Sequence, residues 1–320
     1  MNRLLLIGFL ITSLPSFSQY QWDYGTKFGA ANYLGDIGGR ELTRRDFVLD
    51  MHMESTRWAM GTYARYKLSK RLAIAMNVDY IRITDTDRLT TNPPRRARNM
   101  NFRNDIVETG VRAEVTVWYD NDVGNRGYYN PDFKLYLFGG VSGFYHNPQG
   151  QIFTDGNLAY GGQWFDLRPW RTEGQDSPYS SFGMAIPAGV GFYFTFNRQW
   201  RVGWELSWRT TFTDYLDDIS TTYQIPGSDD PLAQEFVNQS YQDLIDQINT
   251  DNPDSAPLSV NSFRFVPGQN TKRGDPTNND SFLTTQLTIG RVIRGRSNFY
   301  RSKYSWLKNR AGIRRSRAKF

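Results

Sequence analysis

Between residues 199 and 220 the chain reads QWRVGWELSWRTTFTDYLDDIS, and through its first half bulky apolar and polar positions alternate strictly. Trp200, Val202, Trp204, Leu206 and Trp208 share one parity, and Arg201, Gly203, Glu205, Ser207 and Arg209 share the other. A period of two predicts a β-strand with one apolar and one polar face. The pattern recurs along the chain. Trp22, Tyr24, Thr26 and Phe28 oppose Asp23, Gly25, Lys27 and Gly29. Segments 58–68 and 71–82 alternate likewise and are joined at Ser69–Lys70, which predicts a tight hairpin. Segments 105–119, 133–145, 181–196 and 282–293 complete a set of eight. Each is about as long as a tilted strand needs to cross a bilayer.

The connections sort by length. Long ones cover 34–57, 84–104, 146–180 and 213–281, while 69–70, 120–132 and 197–198 are shorter, and the two kinds take turns. Long loops at one end and shorter turns at the other characterise outer-membrane barrels. The predicted fold is therefore all-β: an eight-stranded antiparallel transmembrane outer-membrane β-barrel with long extracellular loops. The even strand number places both mature termini in the periplasm.

Composition agrees with this picture. Mean hydropathy is −0.61, yet aromatic residues make up 15% of the chain, with 19 Tyr, 21 Phe and 9 Trp. Only every second barrel residue meets lipid, and aromatic girdles mark the two interfaces, so a polar average with many rings is expected. No segment has the run of about 18 apolar residues that a membrane helix requires. The stretch MNRLLLIGFLITSLPSFSQ reads as a signal peptide over residues 1–18, with Arg3, an apolar run from Leu4 to Ile11, and Ser16 and Ser18 before a mature start at Gln19. There is no cysteine. The barrel is assigned to 19–293 and a basic periplasmic tail to 294–320.

The parity of the wall sets the expected interior. Lys27, Arg65, Lys67, Asp79, Glu108, Arg112, Glu114, Lys134, Arg201, Glu205 and Arg209 fall on inward-facing positions with Asp23. An eight-stranded barrel is only wide enough for side chains to fill. Unpaired buried charges are costly, so these groups are expected to pair into a hydrogen-bonded plug that closes the lumen to solutes. Gly183, Gly189 and Gly191, on the same parity, are expected to make room for it.

Other chemistry is sparse. His146, just past the fifth strand, with Ser142 on that strand, is the one placement resembling a rim hydrolase; His52 lies in the first long loop. The competing reading is polar trim, and the chain is taken as non-enzymatic, with no cofactor. Asp214, Asp217 and Asp218 offer a calcium cluster, or else cap turns at the barrel rim. The basic stretch NPPRRARN (92–99) faces outward, either toward lipopolysaccharide phosphates or simply toward water.

Charge is unevenly distributed. The formal net charge is +6, but residues 294–320 hold ten Lys or Arg and no Asp or Glu; without these and Arg3 the chain carries −5. An exported tail does not meet nucleic acid, so its partner is an acidic protein surface or anionic lipid. Arg301, Lys303, Trp306, Arg310, Arg314 and Arg315 combine charge with an aromatic anchor and are the candidate docking residues.

The stretches GAANYLGDIGG (29–39), NPPRRARNMNFRNDIVETGVRAEV (92–115), YLFGGVSGFYHNPQG (136–150), AIPAGVGFYF (185–194) and TDYLDDIS (213–220) occur in order. Together they resemble the PorG-like family of small outer-membrane barrels of Bacteroidetes, components of the type IX secretion system. The resemblance implies an eight-stranded barrel in the outer membrane, in contact with its lipids. Its periplasmic side would associate with the ring lipoproteins of the secretion and gliding machinery. The alternative is a free-standing surface barrel, or adhesin, that binds ligands through its long loops.

Overall fold

The alternating segments form one closed wall in the computed structural model, which describes residues 22–39, 53–121, 131–197 and 199–293. The strands are β1 (Trp22–Leu34), β2 (Arg57–Lys67), β3 (Leu72–Thr86), β4 (Asn101–Asp120), β5 (Asp132–Tyr145), β6 (Phe182–Phe196), β7 (Trp200–Thr211) and β8 (Ser281–Ile293). Each pairs antiparallel with its sequence neighbours, and β1 pairs with β8 from Trp22↔Ile293 to Leu34↔Ser281. The wall has no free edge of the kind that recruits foreign strands. Predicted leader 1–18, the tail 294–320 with all its candidate docking residues, and His52 lie outside the described residues.

Two turns at one end are tight. Leu68 and Ser69 donate backbone N–H groups to the Leu72 carbonyl, both at 3.0 Å. Between β6 and β7, Asn197 takes the left-handed conformation (φ 54°), which its short polar side chain tolerates better than most. This end is the turn end; the long connections emerge at the loop end.

The outer face is apolar around the whole circumference. Phe28, Met60, Met76, Val111, Val141, Met184, Val202 and Leu287, drawn from all eight strands, are each more than two-fifths exposed. Aromatic pairs flank this belt. Trp22 lies against Tyr66 (4.8 Å) and Phe133 against Phe194 (5.1 Å) toward the turn end, with Trp58 against Tyr80 (5.0 Å) and Tyr145 against Phe182 (5.4 Å) toward the loop end. A closed barrel with such a belt and two girdles is built to span a membrane.

β3 and β4 extend further toward the loop end than alternation predicts, to Thr86 and from Asn101. Their outward positions there are polar, so the apolar rhythm stops while the hydrogen-bond ladder continues. Arg82 and Asp105 form a two-pronged pair on that outer wall at 2.6 and 2.7 Å.

The long connections are not open loops. They contain helices α1 (Pro93–Arg98), α2 (Pro231–Val237) and α3 (Gln242–Asp251), and together they form a cap. Its apolar core includes Ile37, Ala97, Met100, Leu216, Val237, Ile245 and Ile248. This core continues into the top of the barrel through Ile81, Ile83, Ile106 and Phe282. A second cluster, Ile152, Leu167, Trp170, Ala233 and Phe236, packs beside it. Such burial outside the wall was not readable from the strand period of two, which these segments lack; α2 and α3 bury residues at helical spacing instead, Ala233 with Phe236 and Val237, and Ile245 with Ile248.

Candidate functional site

Below the cap core the lumen is filled by ion pairs in two layers. In the upper layer Lys27 Nζ lies 2.8 Å from Asp79, and Arg209 Nε lies 2.6 Å from Glu108, with its guanidinium 3.8 Å from Asp79. In the lower layer Arg112 bridges Glu205 (2.5 Å) and Glu114 (2.9 Å), while Arg65 joins Glu114 (2.5 Å) to Asp23 (3.5 Å). Arg201 also pairs with Asp23. All ten groups are nine-tenths or more buried. Five cations face five carboxylates, so this interior is formally neutral, which keeps the burial of charge tolerable.

Lys67 and Lys134 do not join this network. They line the turn-end mouth with Lys70, and among the described residues neither has a carboxylate within ion-pair distance. The deeper cations engage the carboxylates of the two layers, and the mouth is open to water.

Aromatic rings complete the filling, a component that pairing of charges alone does not predict. The Arg65 guanidinium lies 5.0–5.1 Å from the ring centres of Tyr63, Tyr136 and Tyr193, and Arg112 lies 4.2 Å from Phe138. Tyr136 also donates its hydroxyl to Glu205 at 2.5 Å. Such stacking adds about 0.5–2 kcal/mol per contact. The inward glycines serve these rings more than the charges. A Cβ at Gly183, Gly189 or Gly191 would stand 2.4–2.6 Å from Phe144, Phe138 or Tyr136 respectively. The signal available in sequence was parity: Tyr136, Phe138 and Phe144 share it with Lys134 and Ser142.

Two cavities in the lumen measure about 20 and 10 Å³, enough for single waters. Above them the cap core covers the loop end.

Two buried arginines stitch the cap together. Arg98 holds Asp87 at 2.8 and 2.9 Å and donates to the carbonyls of Asp36 and Arg273, both at 2.7 Å. Arg273 holds Glu173 at 2.9 Å and donates to the Asp218 carbonyl at 2.6 Å. Glu173 in turn accepts from the backbone of Ser220 and Thr221. Arg98 belongs to the basic stretch 92–99, so that stretch is not simply a solvated outer loop. It is a helix capped by the Asn92 side chain and anchored from below.

Asp217 and Asp218 of TDYLDDIS act as buried acceptors, whereas both carboxylate oxygens of Asp214 are buried without a hydrogen-bond partner among the described residues. Asp217 takes the N–H groups of Ile37 (3.0 Å) and Ile219 (2.9 Å); Asp218 takes the hydroxyls of Thr172 (2.6 Å) and Tyr179 (2.8 Å). Among the described residues no three His, Asp or Glu side chains are grouped to hold a metal ion. Burial raises these acids: Asp214 to about 8, Asp217 to about 7 with help from the Asp36 charge, and Asp218 to about 6 against the pull of Arg273. Asp280 is pushed well up by burial beside Asp217.

His146 is fully enclosed, between Phe144 and Tyr179, with its ring nitrogens 3.5 Å from the Asn104 amide and 3.2 Å from the Ser180 carbonyl. Burial lowers it to about 4, so it is neutral at physiological pH. Ser142 donates instead to the Ala185 carbonyl. The two residues do not form the nucleophile–base pair of a hydrolase.

The chain belongs to the family described as "Domain of unknown function (DUF6089)", whose model matches residues 2–225. No functionally curated protein matches it. Among solved structures it is similar to the outer membrane protein OprG from Pseudomonas aeruginosa, at 7% identity and TM-score 0.35, covering 87% of this chain and 98% of that one. It is similar also to Ail, the attachment invasion locus protein of Yersinia pestis, at 6% identity and TM-score 0.31, over 85% and 98% of the two chains. Neisserial surface protein A matches at 9% identity and TM-score 0.30, over 85% and 96%. The barrel assignment itself rests on the strand pairing of this chain.

Proposed function

We propose that the protein is a non-enzymatic barrel subunit of the type IX protein secretion and gliding machinery. It sits in the outer membrane with its turn end in the periplasm and docks there to ring lipoproteins. The supporting observation is the filled, neutral lumen under a packed cap: a barrel whose interior is taken up by its own side chains acts through its surfaces. The resemblance of five ordered segments to the PorG-like barrels supplies the machinery. Lys67 and Lys134, which pair with no carboxylate among the described residues, and the ten cations of 294–320 supply charge for an acidic partner.

The test is a mild-detergent pull-down of the tagged protein from its own outer membrane, with and without 295–320. Secretion-system lipoproteins recovered only with the full chain support the reading and make the tail the docking element. Recovery without the tail moves the contact to the turns, chiefly 120–132. A barrel recovered alone, with secretion intact on gene deletion, overturns it. A second reading, a free-standing surface barrel binding ligands through its loops, draws support from the cap, which is folded rather than loose.

A further inference from the structure

The cap carries a cavity that the lumen and its ion pairs do not use. It measures about 300 Å³ and opens at the surface between α1, the 272–275 turn and Asp36. That volume lies at the small end of ligand sites and is far larger than the water-sized gaps of the lumen.

Its wall has a distinct chemistry. Arg95, Arg98, Lys272 and Arg273 bring four cations against two carboxylates, Asp36 and Asp275. Arg98 and Arg273 are neutralised from behind by Asp87, Glu173 and Asp218, so they hold the floor rigid. Arg273 nevertheless keeps a buried Nε with no hydrogen-bond partner among the described residues. Lys272 stands at the entrance with its side chain 69% exposed, 3.6 Å from Asp275. Asp275 is itself held by Thr277 and Asn278 at 2.8 and 2.9 Å. Phe263 closes one side with an apolar ring.

We propose that this cavity binds an anionic saccharide, a single sugar unit bearing a phosphate or carboxylate. The cations take the acidic group, the Asp36 and Asp275 carboxylates accept from sugar hydroxyls, and Phe263 covers the ring face. A bare inorganic anion would leave most of the volume empty and would set its charge against both carboxylates. The cavity opens on the side of the long connections, so the ligand arrives as a free sugar or as the headgroup of a surface glycolipid. The inference is independent of the secretion reading and stands or falls separately.

The test uses the full chain refolded in detergent. Glucosamine 1-phosphate, glucuronic acid and inorganic phosphate are titrated calorimetrically, and lipopolysaccharide micelles compete in a second arm. Binding of a sugar acid is expected, weakened about tenfold in Lys272→Gln and further in Lys272→Gln/Arg95→Gln. Lys272→Gln is exposed and leaves the fold intact, which gel mobility before and after heating checks. Micelles that compete with the free sugar, or that alone bind in a variant-sensitive way, assign the glycolipid source; free sugar binding without competition assigns the soluble one. No binding of any sugar probe or micelle, phosphate binding as tightly as the sugar phosphate, or binding unchanged in the double variant overturns the proposal.

Discussion

The lumen and the cap core are both packed, yet they are filled in opposite ways. In the lumen, five cations and five carboxylates neutralise one another among stacked rings. In the cap, aliphatic and aromatic side chains make the core, and charges appear as single stitches such as Arg98 and Arg273. The wall explains the contrast. A strand that gives its apolar face to lipid has only its other face for the interior, and eight strands leave little room there. The cap segments have no such parity and build the interior of an ordinary water-soluble protein. A second difference follows. Every lumen carboxylate in the two layers has its cation, whereas the cap gathers Asp36, Asp214, Asp217 and Asp280 with fewer cations, and burial raises them all.

The largest expected effect is in the lumen. Arg112→Met leaves Glu114 and Glu205 buried without their shared partner and should cost about 3–5 kcal/mol, read from urea unfolding in micelles. A loss below about 1 kcal/mol would show that water replaces the guanidinium and that the layers are not a tight plug. In the cap, Phe236→Ala should cost about 3–5 kcal/mol locally by opening the second cluster. Protease should then cut within 212–280 while the barrel keeps its heat-modifiable mobility; simultaneous loss of both would mean that cap and barrel unfold as one unit.

pH should separate the two regions further. A carboxyl whose folded pKa is raised binds its proton more tightly when folded, so stability falls as pH rises from the unfolded value near 4 through the folded value. For Asp217 and Asp214 that window closes at about 7 and 8. Amide protection of the cap, taken relative to the intrinsic base-catalysed exchange rate at each pH, should therefore be greater at pH 5 than at pH 8.5, and Asp217→Asn should flatten the difference. Greater protection at pH 8.5 would reverse the assignment. The smallest effect is reserved for the turn-end mouth. Lys67→Gln and Lys134→Gln should change stability by less than about 0.5 kcal/mol, while lowering recovery of the ring lipoproteins; unchanged recovery would remove these lysines from the docking face.

How much of this was legible in the sequence differs between the regions for the same reason. Alternation located the strands and assigned Arg65, Glu114 and Glu205 to the interior, because a closed barrel converts parity directly into side. It did not separate Lys67 and Lys134 from the network, since depth along the axis depends on where the ladder meets water. Arg98 read as part of an exposed basic run. Its partners, Asp87 and the carbonyls of Asp36 and Arg273, come from three separate connections, and no local pattern predicts that meeting. His146 was placed at the rim correctly in height, but its enclosure depends on Tyr179, 33 residues away in a loop without a period.

The distribution of the lumen charges also bears on how the barrel is made. Of the ten paired groups, β1 to β4 carry four carboxylates and three cations, and β7 carries the remaining two cations and one carboxylate. Arg112 meets Glu205 across 93 residues of chain, and Arg209 meets Glu108 across 101. The two layers are therefore completed only when β7 brings Arg201, Glu205 and Arg209 to partners on β1, β3 and β4. Contacts of such sequence separation form late, so the lumen stays unfinished until the wall is nearly closed.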